Sequence, residues 1–425
     1  MTTSDPLLDE LAALGPALVL QIDGPPAADG RRILDDVIAR LDITEPGTGY
    51  TTTVTVPGGP LLRIDGIADD AHRRAIADAI LDAVDAAGVD ADAAVLHRVD
   101  GMADIDVLGP TVALRAFPDP GSLSVSGAWL DHVADTVLSG SGLSGSGVSG
   151  SGVSGGDGSV RVRVLGAELT MSAADAPGVL HACAAERAWC DLAAETDAGA
   201  VAVASLSFGR APHVAIAIGG DVDDADLLTA FDTLADVADS LTEGLAYACV
   251  DFEESFEMLG FGLAGGAWER RGGAAAHQLL AGHGNRFVPG AYPLQVLGPD
   301  HLARLGTPPD DDWSALVDLG DGSAHVALVL GPPGEWLPGH PERSRWQQRG
   351  WRRLAAVLVG AGDLDGQPGA AERPADEADR RPPASDGTPA LDQLVIEPGP
   401  HRRRGTRISP LELAAWLGGE PHGDD

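Results

Sequence analysis

Two stretches of the chain follow the same alternation of strand and helix patterns, and this repeat limits the possible folds more than any other feature. The first copy contains a strand at 17–24, a helix at 30–41, strands at 50–56 and 60–66, a helix at 70–88 and a strand at 93–99. A Pro-Gly-Gly-Pro run separates the middle strands and indicates a hairpin. The order β-α-β-β-α-β is typical of the ferredoxin-like arrangement, an antiparallel sheet with helices on one face.

The second copy follows a stretch rich in serine and glycine. It contains a strand at 159–166, a helix near 174–194, strands at 198–208 and 213–220, a helix near 224–242 and a strand at 245–252. At an offset of 154 residues, identical residues coincide at Ile64/Ile218, Gly66/Gly220, Asp69/Asp223, Asp70/Asp224, Ala71/Ala225, Asp78/Asp232, Asp82/Asp236 and Asp85/Asp239. Because the strand-end glycine and the helix-start aspartates lie where a repeated unit needs them, we predict an internal duplication.

A third, looser unit is predicted after the second. It has a strand at 291–298, a short helix at 299–306, a hairpin around Asp321-Gly322, a helix at 344–359 and a candidate closing strand at 391–397. The predicted class is therefore α+β, with two ferredoxin-like units and a third that is less regular. The predicted divisions are a first unit at 1–138, a flexible Ser/Gly linker at 139–158, a second unit at 159–258, a third at 259–360, a disordered linker at 361–389, and a closing strand with a short helix at 390–425.

The charge of the chain restricts its partners. There are 64 acidic residues against 28 basic ones, which gives a formal net charge of −36. All 28 basic residues are arginine and Asn285 is the only asparagine, which indicates the codon usage of a high-GC bacterium. The negative electrostatic field of such a chain repels nucleic acids and anionic membranes and attracts a basic protein partner. An alternative interpretation is that the acidic surface only keeps the protein in solution.

The N-terminal segment resembles neither a signal peptide nor a membrane span. Acidic residues stand where a signal peptide needs a positive region followed by an apolar run. No stretch approaches the roughly 18 consecutive apolar residues of a membrane span. We therefore expect a cytoplasmic protein.

No arrangement of residues in the sequence is typical of a catalytic site, and no cofactor or metal is expected. The Gly-x-Ser-x-Gly pattern occurs only inside the repetitive Ser/Gly stretch, where no strand precedes it and no helix follows. Cys183, Cys190 and Cys249 are expected to be buried thiols, with the first two on one helix. An alternative enzyme site would combine two histidines with the acids that follow the last strand of the second unit, namely His277, His283, Asp251, Glu253, Glu254 and Glu257.

An arginine- and tryptophan-rich helix at 343–353 is the sharpest candidate contact surface. The helical spacing places Trp346 and Trp351 on the inward side and a row of arginines on the outward side. Tryptophan and arginine carry much of the binding energy at protein interfaces. The candidate partner-binding residues here are Arg345, Trp346, Arg349, Arg352 and Arg353. The alternative is an amphipathic helix whose arginines pair with the protein's own acids. The run HRRRGTR at 401–407 is a second basic candidate.

A segment of the C-terminal half resembles a known family. The residues that carry the similarity are Tyr292, Pro293, Leu297, His301, Leu302, Gly306, Trp313, a turn at 320–322, and Trp336. Over residues 256–360 the chain resembles the immunity proteins that accompany bacterial polymorphic toxins, although it has Gln295 where that pattern favours asparagine. The N-terminal half has no counterpart in the family. The resemblance implies that the protein neutralises a toxin by binding it, with Tyr292, His301, Trp313 and Trp336 among the contacts.

The sequence leaves three hypotheses about function. The first is a non-enzymatic cytoplasmic module that binds a basic protein, which the resemblance identifies as a toxin. The second is an enzyme with the histidine and acid site described above. The third is a structural subunit of a larger assembly.

Overall fold

A computed structural model provides the coordinates of the protein. It describes residues 5–44, 49–99, 107–120, 122, 125–139, 159–195, 200–208, 212–220, 222–256, 280, 282–306, 314–319, 325–358, 395–396 and 406–407. The predicted α+β class with antiparallel sheets is confirmed. None of the helices in these ranges is long and apolar enough to cross a membrane.

The helices and strands are named in chain order. They are α1 (Asp5–Leu14), β1 (Ala17–Ile22), α2 (Ala27–Thr44), β2 (Gly49–Val56), β3 (Gly59–Asp65), α3 (Asp70–Ala87), β4 (Ala94–Arg98), β5 (Val107–Pro118), α4 (Gly127–Ser139), β6 (Ser159–Val164), β7 (Ala167–Ser172), α5 (Ala176–Glu186), β8 (Cys190–Glu195), β9 (Ala200–Ser207), β10 (His213–Gly220), α6 (Asp224–Ser240), β11 (Leu245–Phe256), β12 (Leu294–Leu297), α7 (Pro299–Leu305), β13 (Ser314–Asp318), β14 (Val326–Leu330), α8 (Arg343–Leu354), β15 (Val395–Ile396) and β16 (Thr406–Arg407).

The first unit has a four-stranded sheet in the order β2-β3-β1-β4, with every neighbouring pair antiparallel. Its connection order, β1-α2-β2-β3-α3-β4, is the predicted one. The predicted inward residues of α2 and α3, including Ile33, Val37, Ile76 and Ile80, are buried in one core with alternate side chains of β1 and β3. The opposite face of this sheet belongs to a second, larger core.

The second unit repeats this arrangement, but it begins earlier in the chain than predicted. A ten-stranded sheet contains the order β11-β5-β10-β9. With α4 and α6, these strands give the connection β5-α4-β9-β10-α6-β11, in which each strand has the same neighbours as its counterpart in the first unit. The structure therefore divides the chain differently from the predicted 1–138 and 159–258. The reason is that β5 pairs with β10, at least 98 positions later in the chain, and α4 packs on α6. The Ser/Gly run at 140–158, outside the described residues, lies in sequence within the second unit.

The helix caps support the duplication of the second half of each unit. Asp69 precedes α3 and its side chain accepts a hydrogen bond from the His72 amide at 2.9 Å. Asp223, its counterpart, accepts bonds from the amides of Ala225 and Asp226 before α6, both at 2.9 Å. An aspartate at this position satisfies amides that a helix leaves without partners. The predicted equivalence of Asp69 and Asp223 thus has a structural reason.

The segment β6-β7-α5-β8 is an insertion between α4 and β9. It extends the large sheet beyond β9 in the order β9-β8-β6-β7. Its helix α5 also packs against β2, so the insertion connects the two units. Arg31 of α2 pairs with Glu186 of α5 at 3.0 Å, and Arg63 of β3 donates to the Leu165 carbonyl at 2.9 Å. We call this segment the bridging insertion.

The region after β11 continues the same sheet instead of forming a separate unit. β12 pairs with β11, and the predicted hairpin, β13 and β14, extends the sheet from β12. α8 ends at Leu354, five residues before the predicted end. Within the described residues, the candidate closing strand at 391–397 is represented by β15. This strand pairs with β16, which lies in the basic run at 401–407, and the two form a sheet separate from the large one. The predicted C-terminal helix lies outside the described residues.

Candidate functional site

The second helices of the two units, α3 and α6, carry equivalent rows of exposed aspartates. These are Asp70, Asp78, Asp82 and Asp85 on α3, and Asp224, Asp232, Asp236 and Asp239 on α6. Residues three and four positions apart face each other along a helix, so each row places like charges side by side. Repulsion of this kind lowers helix stability by about 0.2–0.5 kcal/mol per pair.

The two helices differ in the basic residues that they contain. On α3, Arg73 pairs with Asp70 at 2.6 Å, and Arg40 of α2 reaches Asp82 at 3.2 Å. The sequence of α6, DADLLTAFDTLADVADS, contains no basic residue at all. We call its four exposed aspartates the α6 acidic face.

Two of the four arginines in the predicted row on α8 are exposed. Arg345 is exposed and pairs with Glu342 at 3.0 Å, and Arg352 is exposed as well. Arg349 lies over the Trp346 ring at 4.9 Å from its centroid, and Arg353 is half-buried. Part of the row therefore interacts with the protein itself, as the alternative interpretation proposed.

The aromatic and histidine residues predicted to contact a partner are in the core. Tyr292, His301, Trp336 and Trp346 are all less than a tenth exposed, so their side chains cannot form a contact surface in this conformation. The Trp346 indole donates to Glu335 at 2.7 Å, and the Trp336 indole donates to the Leu330 carbonyl. These rings fill the space between α8 and the sheet, which explains why a helix of this polarity carries tryptophan. Trp313 lies outside the described residues.

His301 has a structural role at the start of α7. Its Nδ1 accepts the Gly298 amide at 3.2 Å and its Nε2 donates to the Phe287 carbonyl at 3.3 Å. Burial lowers the pKa of His301 to about 4, and the hydrogen bond to Phe287 offsets this only in part. The imidazole is therefore neutral at physiological pH and holds two backbone groups together.

A row of mostly polar side chains crosses the face of the large sheet opposite α4, α5 and α6. Directly paired residues of neighbouring strands share a face, and their register links one residue on each of eight strands. In sheet order these are Gln295, Cys249, Arg115, Ala215, Ser205, Asp191, Arg163 and Glu168. All except Glu168 are buried. We call them the polar row, which no local pattern of the sequence predicts.

Two buried ion pairs lie at the β5 and β11 part of the polar row. The Arg115 guanidinium donates to both carboxylate oxygens of Glu253, one of them at 3.2 Å. Burial opposes the charge of Arg115, but the ion pair with Glu253 outweighs it and raises the pKa of the guanidinium. Asp251 pairs with Arg343 of α8 at 3.4 Å. Burial raises the pKa of Asp251 to about 6 despite this arginine.

Asp191 occupies the β8 position of the polar row and is fully buried. Neither of its carboxylate oxygens has a hydrogen-bond partner of good geometry among the described residues. Burial raises the pKa of Asp191 to about 7, although the Ser205 hydroxyl and Arg163 are near enough to lower it. Its carboxyl group therefore changes protonation state around neutral pH.

The cysteines are buried, as predicted, but two of them do not share a helix. α5 ends at Glu186, and Arg187 adopts a left-handed conformation that turns the chain, so Cys190 lies on β8. The Cys190 and Cys183 thiols interact across this turn, and that contact raises the pKa of Cys190 together with burial. Burial also raises the pKa of Cys249 to about 12, so that side chain is a thiol rather than a thiolate.

The alternative enzyme site is not assembled among the described residues. Asp251 and Glu253 each face an arginine, and Glu254 is half-buried. His283 is exposed at the surface. His277 and Glu257 lie outside the described residues. In the described part of the chain, no group of three or more histidine, cysteine, aspartate or glutamate side chains is arranged to hold a metal ion.

Comparison with known proteins adds no assignment. No family model matches the chain, and no curated protein matches it either.

Proposed function

We propose that the protein is a non-enzymatic cytoplasmic binding module that engages a basic protein through the α6 acidic face. The observation that carries this proposal is the row of exposed aspartates on a helix without any basic residue. Such a row costs helix stability, and a complementary positive surface would relieve that repulsion. It would also accelerate association, because opposite fields steer two proteins together.

The resemblance to immunity proteins supports a more specific proposal about the partner. If the partner is a toxin that acts on an anionic substrate, its active surface is positively charged and suits an acidic inhibitor. The exposed arginines of α8, Arg345 and Arg352, remain candidates for contacts with acidic groups of the same partner. The structural-subunit hypothesis would also use such charged surfaces, but without inhibiting an activity.

Neutralising the α6 acidic face is expected to weaken partner binding. In the variant Asp232→Asn, Asp236→Asn, Asp239→Asn, we expect the affinity for the protein encoded by the neighbouring gene to fall about tenfold or more at low ionic strength. The slope of affinity against salt concentration should also become shallower. Calorimetric titration over a series of salt concentrations measures both.

The matched control removes the same charge from another helix. Asp29, Asp35 and Asp42 are exposed on α2, so Asn at these positions changes the net charge equally. We expect this variant to bind nearly as well as the wild type. Equal losses of affinity in the two variants would mean that the overall charge determines binding and the α6 acidic face does not. If the wild type did not bind at low salt, the proposed partner would be excluded. The α6 variant should melt close to the wild type, because all three substituted side chains are exposed.

The enzyme hypothesis has a separate test. Alanine at His277 and His283 should abolish any activity found while leaving the melting temperature nearly unchanged, since His283 is exposed. An activity that survives both changes would exclude that site.

A further inference from the structure

The joint between the bridging insertion and the second unit contains a buried carboxyl group at its centre. β8 is the strand through which the insertion joins the large sheet, and it pairs with β9 from Cys190 to Glu195. Asp191 lies within this pairing, opposite Ser205 on β9 and Arg163 on β6. Whatever weakens β8 against β9 therefore weakens the attachment of the whole insertion.

The surroundings of Asp191 suit a neutral carboxyl group better than a charged one. The side chain is fully buried, and its oxygens lack well-formed hydrogen bonds among the described residues. From β9 it faces the neutral Ser205, whose Oγ also accepts the Trp189 indole N–H at 3.4 Å. From β6 it faces Arg163, which pairs at 3.6 Å with Glu168 of β7; Arg161, two residues away, is exposed. Further along the same face, Ala193 of β8 and Ala215 of β10, which pairs with Ser205, are small and apolar.

The bridging insertion in turn holds the first unit. Helix α5 packs on β2, Glu186 pairs with Arg31, and the Leu165 carbonyl accepts from Arg63. We propose that Asp191 is a pH-sensitive switch: its protonated form holds β8 on β9, and its ionised form loosens the insertion and, through it, the attachment of the first unit.

The sign of the effect follows from the pKa values of the buried and the exposed carboxyl group. The pKa of Asp191 is about 7 in the folded protein, against 3.8 for an aspartate that is not buried. Because the folded pKa is raised, the stabilisation is complete at low pH and is lost as the pH rises toward 7. Between about pH 5.5 and about pH 8.5, the equilibrium constant for the opening of β8 from β9 should increase roughly thirtyfold.

Hydrogen exchange measured by mass spectrometry on the full chain tests the proposal. Peptides covering β8 and α5 should lose protection by roughly thirtyfold between these pH values, after correction for the intrinsic exchange rate. In Asp191→Asn the same peptides should change less than about threefold, while Asp135→Asn, an exposed control on α4, should behave like the wild type. Peptides from β1 and β3 report whether the first unit loosens as well.

A second variant keeps the proposal testable if Asp191→Asn does not fold. The Ser205 hydroxyl favours the charged carboxylate, so Ser205→Ala should move the midpoint of the transition to higher pH. A wild type whose β8 protection is independent of pH would overturn the proposal. So would an equal pH response in Asp191→Asn, or a Ser205→Ala midpoint that stays in place.

Discussion

Replacing Arg115 by methionine is expected to destabilise the protein by about 3–5 kcal/mol. Only 3% of the Arg115 side chain is exposed, and its partner Glu253 is also largely buried. Removing the arginine would leave the Glu253 carboxylate without its partner, beside a second buried acid, Asp251. The cost arises mainly from this stranded charge rather than from the loss of a favourable pair. Urea denaturation followed by circular dichroism measures the change.

A double-mutant cycle separates these two contributions. In Arg115→Met combined with Glu253→Met, no charge remains unpaired, so the double variant should be more stable than Arg115→Met alone. The control is Arg345→Met, which breaks an exposed pair with Glu342 and should change stability by less than about 1 kcal/mol. If Arg115→Met behaved like this control, the buried pair would carry little of the fold's stability.

Gly59→Ala is expected to destabilise the first unit by about 3 kcal/mol or more. Gly59 follows the β2–β3 turn with φ at 130°, a conformation nearly confined to glycine. A Cβ atom at this position would overlap the backbone carbonyl oxygen of Ile22 on β1. Because backbone atoms of a central strand cannot move aside, the β3–β1 pairing must distort. The melting temperature and the exchange of β1 amides report the effect.

Gly88→Ala is the matched control for this substitution. Gly88 also has a positive φ, 68°, but a Cβ there meets no atom within 4 Å. It should therefore cost only about 1 kcal/mol, from the left-handed conformation alone. Equal effects of the two substitutions would mean that the Ile22 carbonyl does not restrict position 59. In Gly59→Ala, amide hydrogen exchange in β10 and β11 shows whether the second unit unfolds together with the first.

The sequence predicted most of the first unit because its signals are local. Amphipathic spacing in α2 and α3, the Pro-Gly-Gly-Pro turn and the Asp69 cap all lie within a few residues of the structure that they determine. The second unit was placed wrongly at its start because strand pairing is not local. The apolar run of β6 follows the Ser/Gly stretch directly and so predicts an opening strand there. In the structure β5, which precedes that stretch, has this position.

The polar row could not be found from sequence for the same reason. Arg115 and Glu253 are 138 residues apart, and only the register of β5 against β11 brings them together. One strand of the row, β10, does carry a local signal, since alanine and glycine rather than large apolar residues occupy alternate positions at Ala215, Ala217 and Gly219. For α8, spacing correctly predicted the inward side of Trp346, but it did not reveal that burial would remove the side chain from any contact surface.

The position of the bridging insertion has a practical consequence for dissecting the protein. A cut anywhere in 140–158 would yield one fragment with β5 and α4 and another with β9, β10, α6 and β11, so each would hold only part of the same sheet. Neither fragment could bury its apolar face alone, and refolding would require the two to meet in solution. The chain is therefore naturally suited to fragment complementation, in which recovery of the native state depends on the concentration of both halves.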